Sequence, residues 1–312
     1  MNRFSKEFLF GLLLITGATA LAINLSLFNF FGGLRPDPAE GQNFDPQELA
    51  RLLGGQGEQR PGGVFKILLP RNDLNVSIQG AKLNPAAYSS HVEFLGDDKE
   101  AMVMGDLVLT QNEVNEVMPN LSENNIDITA IHNHFLGETP RLVQIHIHAA
   151  GDPQKIAKNI HDALFYSGIR FNAGPSSQAI GPNSLNTQEI NSILGLKGIT
   201  KDGVYQVSVP RAETITDNGQ TIPPAMGVAT SIIFQPIDPN TAATTGDFVL
   251  LANEVNPVIK SLEDAGIYVT ALHNHTLTEQ PRLFYLHFWG GGKEADLARG
   301  LKAALDKTNS LK

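Results

Sequence analysis

In 312 residues the chain carries 23 Lys and Arg against 32 Asp and Glu, a net charge of −9. With no clustered cationic run, a nucleic-acid backbone is excluded as the main partner, because that affinity comes from grouped Lys and Arg. The absence of cysteine excludes disulfides, thiolate metal sites and a lipidated cysteine, so any metal must be held by nitrogen and oxygen.

The amino terminus holds Arg3 and Lys6, and after Glu7 no charge follows until Arg35. The core Phe8-Leu9-Phe10-Gly11-Leu12-Leu13-Leu14-Ile15 makes residues 1–31 a signal peptide or an N-terminal membrane anchor rather than a buried helix. Ala18/Ala20 and Ala20/Ala22 offer cleavage sites, while apolar residues continue to Phe31. Residues 32–44, rich in Gly, Pro and Asp, read as a tether. The protein is therefore expected to be exported, periplasmic or extracytoplasmic, or held at the membrane by this segment if it is not cleaved.

From residue 45 the chain reads as a repeat. Glu48-Leu49-Ala50-Arg51-Leu52-Leu53-Gly54 is matched by Glu189-Ile190-Asn191-Ser192-Ile193-Leu194-Gly195, and Pro70-Arg71 by Pro210-Arg211. Gly105–Leu164 aligns with Gly246–Leu305 without a gap. Two long copies imply tandem domains, 45–168 and 186–312, with a linker at 169–185, rather than a solenoid of short units. Within a copy a short helix at 46–53 precedes β-prone runs near 64–69, 74–79, 88–95 and 101–109. Val114, Val117, Met118 and Leu121 then recur with helical spacing, as do Val255, Val258, Ile259 and Leu262, with Pro257 in the first turn. Strands near 126–134 and 141–149 and a closing helix through Ile156, Ile160 and Leu164 complete the copy. The expected fold is α+β, a tandem repeat of two similar domains, each a mostly antiparallel sheet with helices packed on one face.

Both copies carry His-Asn-His-x3-Glu-x-Pro-Arg-Leu. Residues two apart on a strand share a face, so His132 and His134, like His273 and His275, can present two imidazoles to one ion. His146 and His287 on the next strand could complete a set, depending on the register of the hairpin. Glu138 and Glu279 could add an oxygen ligand or act as general bases, and Arg141 and Arg282 could orient a substrate oxygen. The alternative is a hairpin in which Arg141 pairs with Glu138 and the imidazoles bond to backbone. His148 in the first copy, where the second has Trp289, suggests a fuller ligand set in the first. Trp289 could instead stack on a sugar ring or belong to the core. Glu113 and Glu254 read chiefly as helix caps, with Asp106 and Asp247 as outside candidates for the site. His91 and His161 lack counterparts and read as structural.

No nucleophile elbow, phosphate-binding loop or dinucleotide fingerprint is present. The His-x-His-x3-Glu spacing is similar to the first cupin motif, but the glycine-framed second motif is missing. The strings Gly-Asp-x-Val-Leu, Asn-Glu-Val-Asn, Thr-Ala-x-His-Asn-His and Pro-Arg-Leu resemble the LppY/LpqO family of bacterial envelope proteins. That resemblance implies an exported domain of unknown function, with no catalytic or metal residues to carry over. The expectation is an exported protein that binds a divalent metal, zinc being the expected ion, through His132, His134, His146 and His148 and through His273, His275 and His287. If it is an enzyme, which the residues leave open, it would hydrolyse an envelope or extracellular substrate. The competing expectation is a non-enzymatic envelope or glycan-binding module with structural histidines.

Overall fold

A computed structural model of the chain describes residues 44–173 and 185–311, all within one compact unit. The expected leader, all of the expected tether except Phe44, and residues 174–184 of the expected linker lie outside the described residues. Among the described residues no helix is long and apolar enough to cross a membrane.

The first repeat runs α1 (Pro46–Leu53), β1 (Gln56–Gln59), β2 (Phe65–Leu69), β3 (Ser77–Ile78), β4 (Ala81–Lys82), β5 (Ser90–Gly96), β6 (Ala101–Thr110), α2 (Gln111–Glu123), β7 (Asp127–Asn133), β8 (Glu138–Thr139), β9 (Leu142–Gly151) and α3 (Pro153–Leu164). The second runs α4 (Thr187–Leu194), β10 (Ile199–Lys201), β11 (Val204–Pro210), β12 (Thr216–Asp217), β13 (Gln220–Thr221), β14 (Ala229–Asp238), β15 (Thr241–Leu250), α5 (Val255–Asp264), β16 (Tyr268–His273), β17 (Phe284–Gly292) and α6 (Glu294–Leu305). Each repeat builds a six-stranded antiparallel sheet, ordered β1-β2-β5-β6-β9-β7 and β10-β11-β14-β15-β17-β16. The fold is α+β in two repeats, as expected. The run near 74–79 forms only the two-residue β3, because Leu74 N–H closes a turn on the Arg71 carbonyl.

One face of each sheet carries its three helices. Leu49, Val117, Leu121, Ile156 and Ile160 cover Ile67, Val92 and Ile147 in the first repeat, and Ile190, Val258, Leu262, Leu297 and Leu301 cover the matching face of the second. The opposite faces meet each other. Met102 and Met104 of the first sheet pack with Met226, Val249, Leu283 and Tyr285 of the second repeat, and Val108, Phe135 and Leu142 pack with Trp289. Each sheet is therefore covered on both faces, and the polar residues between the sheets are held away from bulk water.

A buried arginine locks each repeat. The fully buried Arg71 donates to the Val108 carbonyl at 2.6 Å, to Glu113 at 2.9 and 3.1 Å, and to Asp73 at 2.9 and 2.7 Å. Arg211 repeats the pattern with the Val249 carbonyl, Glu254 and Glu213. Glu113 also accepts from Thr110 N–H in a capping box and from Gly168 N–H; Glu254 accepts from Leu251 and Asn309 N–H. Both glutamates thus tie a helix start to the segment after the closing helix. With two carboxylates per guanidinium and every donor used, neutralising one carboxylate leaves the arginine paired with the other but weakens the charge-assisted hydrogen bonds that the lost carboxylate accepted.

Glu254→Gln is therefore expected to lower stability by about 1.5–3 kcal/mol, the value of hydrogen bonds to a charged group, read as a shift of the urea midpoint at unchanged slope. Hydrogen bonding from Arg211 holds the Glu213 carboxyl down to about 2. A depressed carboxyl pKa gives stability that is complete above the unfolded value of about 4.3 and is lost as pH falls through the folded value. The stability gap between wild type and Glu213→Gln should accordingly hold from neutrality to about pH 4 and close between there and pH 2.

Candidate metal centre

The hairpin register decides where the histidines meet. In the β7–β9 ladder His132 lies opposite Gln144, and Ala130 opposite His146, with a bulge between Ile128 and Ala130. The loop 134–141 is wide enough to slide His146 within reach, and His132 Nε2 stands 2.9 Å from His146 Nε2. The second repeat has the same register, with His273 opposite Tyr285 and Ala271 opposite His287.

The two histidine hairpins form one site. The His132 and His273 rings stack with centroids 3.7 Å apart, His134 lies 4.2 Å from His287, and His146 lies 4.1 Å from His275. Docking is reciprocal. Thr270 Oγ1 donates to the His134 carbonyl at 2.8 Å and Thr129 Oγ1 to the His275 carbonyl; Asn133 Nδ2 donates to the Thr270 carbonyl at 2.8 Å and Asn274 Nδ2 to the Thr129 carbonyl at 2.9 Å. This mutual exchange is the signature of two-fold contact, here between repeats of one chain. The duplicated sites expected from the motif are thereby merged into a single six-imidazole cluster.

Four of the six rings are oriented alike. Nδ1 of His132 is bonded to the Asn133 carbonyl at 2.9 Å, Nδ1 of His273 to that of Asn274 at 3.3 Å, and Nδ1 of His287 to that of Gly246 at 3.1 Å. His275 bonds to the Gly227 backbone, and its Nε2 makes no aligned hydrogen bond, with the Asp247 carboxylate beside it. A backbone carbonyl on Nδ1 fixes the tautomer and leaves the Nε2 lone pair exposed, as in metal-ligating histidines. The Nε2 atoms of His273, His275 and His287 are buried without a hydrogen-bond partner, as are Nδ1 of His134 and Oδ1 of Asp106 and Asp247. Buried polar atoms are normally paired, so orphans concentrated in one place mark a candidate ligand site.

Burial lowers the histidine pKa values, to about 4 for His132 and His287 and about 3 for His275; His134, His146 and His273 shift in the same direction. Neutral imidazoles at physiological pH are the form that binds metal. Ring nitrogens of His146, His273 and His275 lie within 4.8 Å of one another, as do those of His132, His273 and His287. Because both sets use His273, whose Nδ1 is engaged, they cannot both be filled.

The carboxylates favour the first set. Asp106 stands across the ladder from His146, and Asp247 from His287. Burial raises Asp106 to about 8 and Asp247 to about 6. Asp247 Oδ2 lies 3.1 Å from His275 Nε2, with Oδ1 3.9 Å from His273 Nε2, so a carboxylate and two lone pairs converge where a cation would relieve their repulsion. Asp106 is held by Gln144 Nε2 at 2.9 Å. Gly246 lets β14 approach this point, since a Cβ there would stand 1.9 Å from the Ser231 carbonyl oxygen.

Several sequence expectations are corrected. Glu138 and Glu279 are buried in the hairpin turns, accepting from Leu142 and Leu283 N–H at 3.0 Å, and Glu279 also accepts from Thr276 Oγ1. Their carboxylates shape the loops. Arg282 pairs with Glu279 at 3.3 Å, while Arg141 is exposed, and neither guanidinium is among the residues lining the cavity beside the cluster. His148 stands 3.2 Å from Asp217 of the other repeat and outside both ligand sets, so the first copy does not have the fuller set. Trp289, 5% exposed, packs edge-on against Phe135 and is closed to a sugar ring. Asp106, Asp247, Gln144 and Tyr285 join the site; the Gly-Asp pair at equal positions in both copies was the available signal for the first two.

The family described as Domain of Unknown Function (DUF1259) matches residues 47–165 and 188–307. The chain belongs to this family. The match spans both repeats and replaces the resemblance to the LppY/LpqO envelope proteins, which it does not support. No curated protein matches the chain. Among solved structures, the chain is similar to the trimeric bacterial microcompartment shell protein PduB, at 12% identity over 80% of this chain and 89% of that one, with a TM-score of 0.20. It is also similar to EtuB from Clostridium kluyveri, at 11% identity over the same shares, with a TM-score of 0.18. Likenesses at these scores carry no argument about this DUF1259 protein.

Trp289 is the sole tryptophan, so its environment can be read directly. Its emission is expected to be blue-shifted and poorly quenched by acrylamide, and to be unmoved by soluble glycans. A solvent-like, readily quenched emission would return the indole to the surface.

Proposed function

We propose that this protein binds a divalent transition metal between its two repeats, through His146, His273 and His275 with Asp247 as the oxygen donor. The observation that carries the reading is the convergence of the Nε2 atoms of His273 and His275, neither in a hydrogen bond, with His146 and the Asp247 carboxylate in a buried space. Zinc suits a set of nitrogen and oxygen donors, with each nitrogen about 2.0–2.1 Å from the ion. A bound divalent cation would also favour ionised Asp247 and Asp106, offsetting the desolvation that raises them.

A cavity of about 930 Å³ borders the cluster, lined by His146 and His275 and reaching exposed Lys197 and Lys201. Metal-assisted hydrolysis is the reaction class that such a centre can serve, because a divalent ion lowers the pKa of a bound water. Export through residues 1–31 and an envelope or extracellular substrate are part of the proposal, and rest on the leader residues alone.

Metal content measured by plasma mass spectrometry on the full chain, purified without chelators, tests the reading. The expected result is one ion per chain, lost in His273→Ala and in His275→Ala, weakened about tenfold or more by Asp247→Asn as ligand-shell losses do, and retained in His148→Ala. A metal-free wild type that also fails to take up added zinc would overturn it.

A further inference from the structure

The cavity beside the cluster has two chemically different walls. Lys66, His91 and Glu93 come from the first repeat; at the equivalent ladder positions the second repeat has Gln206, Ser231 and Ile233. Since the repeats share a framework, this difference is local to the side chains. Glu93 is 3% exposed, and its Oε1 accepts from Lys66 Nζ at 2.8 Å, with His91 Nε2 3.7 Å away. Its other oxygen faces Gly227. A Cβ built on Gly227, at φ 75°, would lie 3.9 Å from Glu93 Oε2 and 3.6 Å from His275 Nδ1, so the carboxylate and a histidine of the cluster both border the space that this glycine leaves open.

A buried carboxylate with one oxygen bound by an ammonium and the other bordering a cavity is set to accept a hydrogen bond from a ligand in that cavity. We infer that Glu93 is the acceptor for a protic ligand, a water or a molecule bearing O–H or N–H, held at the His146–His273–His275 end of the cavity. The inference rests on the metal reading above, which supplies the ligand's second attachment. The substrate class it names is neutral and hydrogen-bond-donating. A carboxylate ligand would meet Glu93 charge against charge, whereas a protic group gives the acceptor a donor. Geometrically this makes the first repeat's wall the reactive one, although two of the three imidazoles come from the second repeat.

The test uses the full chain loaded with cobalt(II), whose visible spectrum reports ligands entering the metal shell, with acetohydroxamic acid as the protic probe and acetate as the anionic one. Glu93→Gln should weaken acetohydroxamate about 10- to 100-fold, the value of a hydrogen bond to a charged group, and strengthen acetate. Glu93→Ile, which puts here the residue type that the second repeat has at the equivalent position, Ile233, should weaken acetohydroxamate while cobalt content is kept; it serves as the second variant should Glu93→Gln fail to fold. Equal acetohydroxamate affinity in wild type and both variants, with cobalt bound, would overturn this inference alone. Failure of the wild type to take up cobalt would overturn the metal reading and this one with it.

Discussion

The reciprocal docking of β7 against β16 is the contact on which the centre depends. Each strand is the edge of its own sheet and would otherwise leave backbone groups without partners. Thr129, Asn133, Thr270 and Asn274 satisfy several of them across the repeat boundary. The same exchange brings His132 and His273 face to face and fixes all six imidazoles between two sheets whose other faces are already covered by helices. Burial then keeps the rings neutral. A backbone carbonyl on the far nitrogen of His132, His273 and His287 aims the remaining lone pair inward.

Duplication supplied the framework, and divergence made its two halves unequal. Gln144 and Tyr285 occupy the same ladder position, opposite His132 and His273, but one braces Asp106 while the other stacks on His275 with centroids 3.5 Å apart. His148 beside Asp217 corresponds to Trp289, which packs in one cluster with Ile78; one end of the interface is polar and the other apolar. Asp247 rather than Asp106 contacts the histidines, so the electrostatically favoured ligand set draws on both repeats. A metal held there would link the halves of the chain as well as serve chemistry.

The arginine clamps work at a different level. Arg71 and Arg211 sit outside the centre, yet through Glu113 and Glu254 they set where α2 and α5 begin, within a few residues of the strands that carry Asp106 and Asp247. The position of each aspartate is thus supported by a buried ion-pair network at the end of its own strand, consistent with sites built on rigid elements rather than free loops.

Much of this was legible in the residues. Helical spacing at Val114, Val117 and Leu121, alternation along the strands and the unbroken repeat determine two similar α+β units, because periodicity and local turn chemistry are properties of neighbouring residues. The repeated His-Asn-His string marks the site for the same reason. What the sequence could not determine is which residues would meet across the repeat boundary. His-x-His spacing holds for each copy alone and says nothing of the other. The loop width that brings His146 to His132, the turn roles of Glu138 and Glu279, and the pairing of His148 with Asp217 all follow from hairpin geometry and sheet-on-sheet packing. Tertiary structure alone decided that two motifs make one centre, since only the docking of the sheets brings lone pairs from distant strands within a few ångströms.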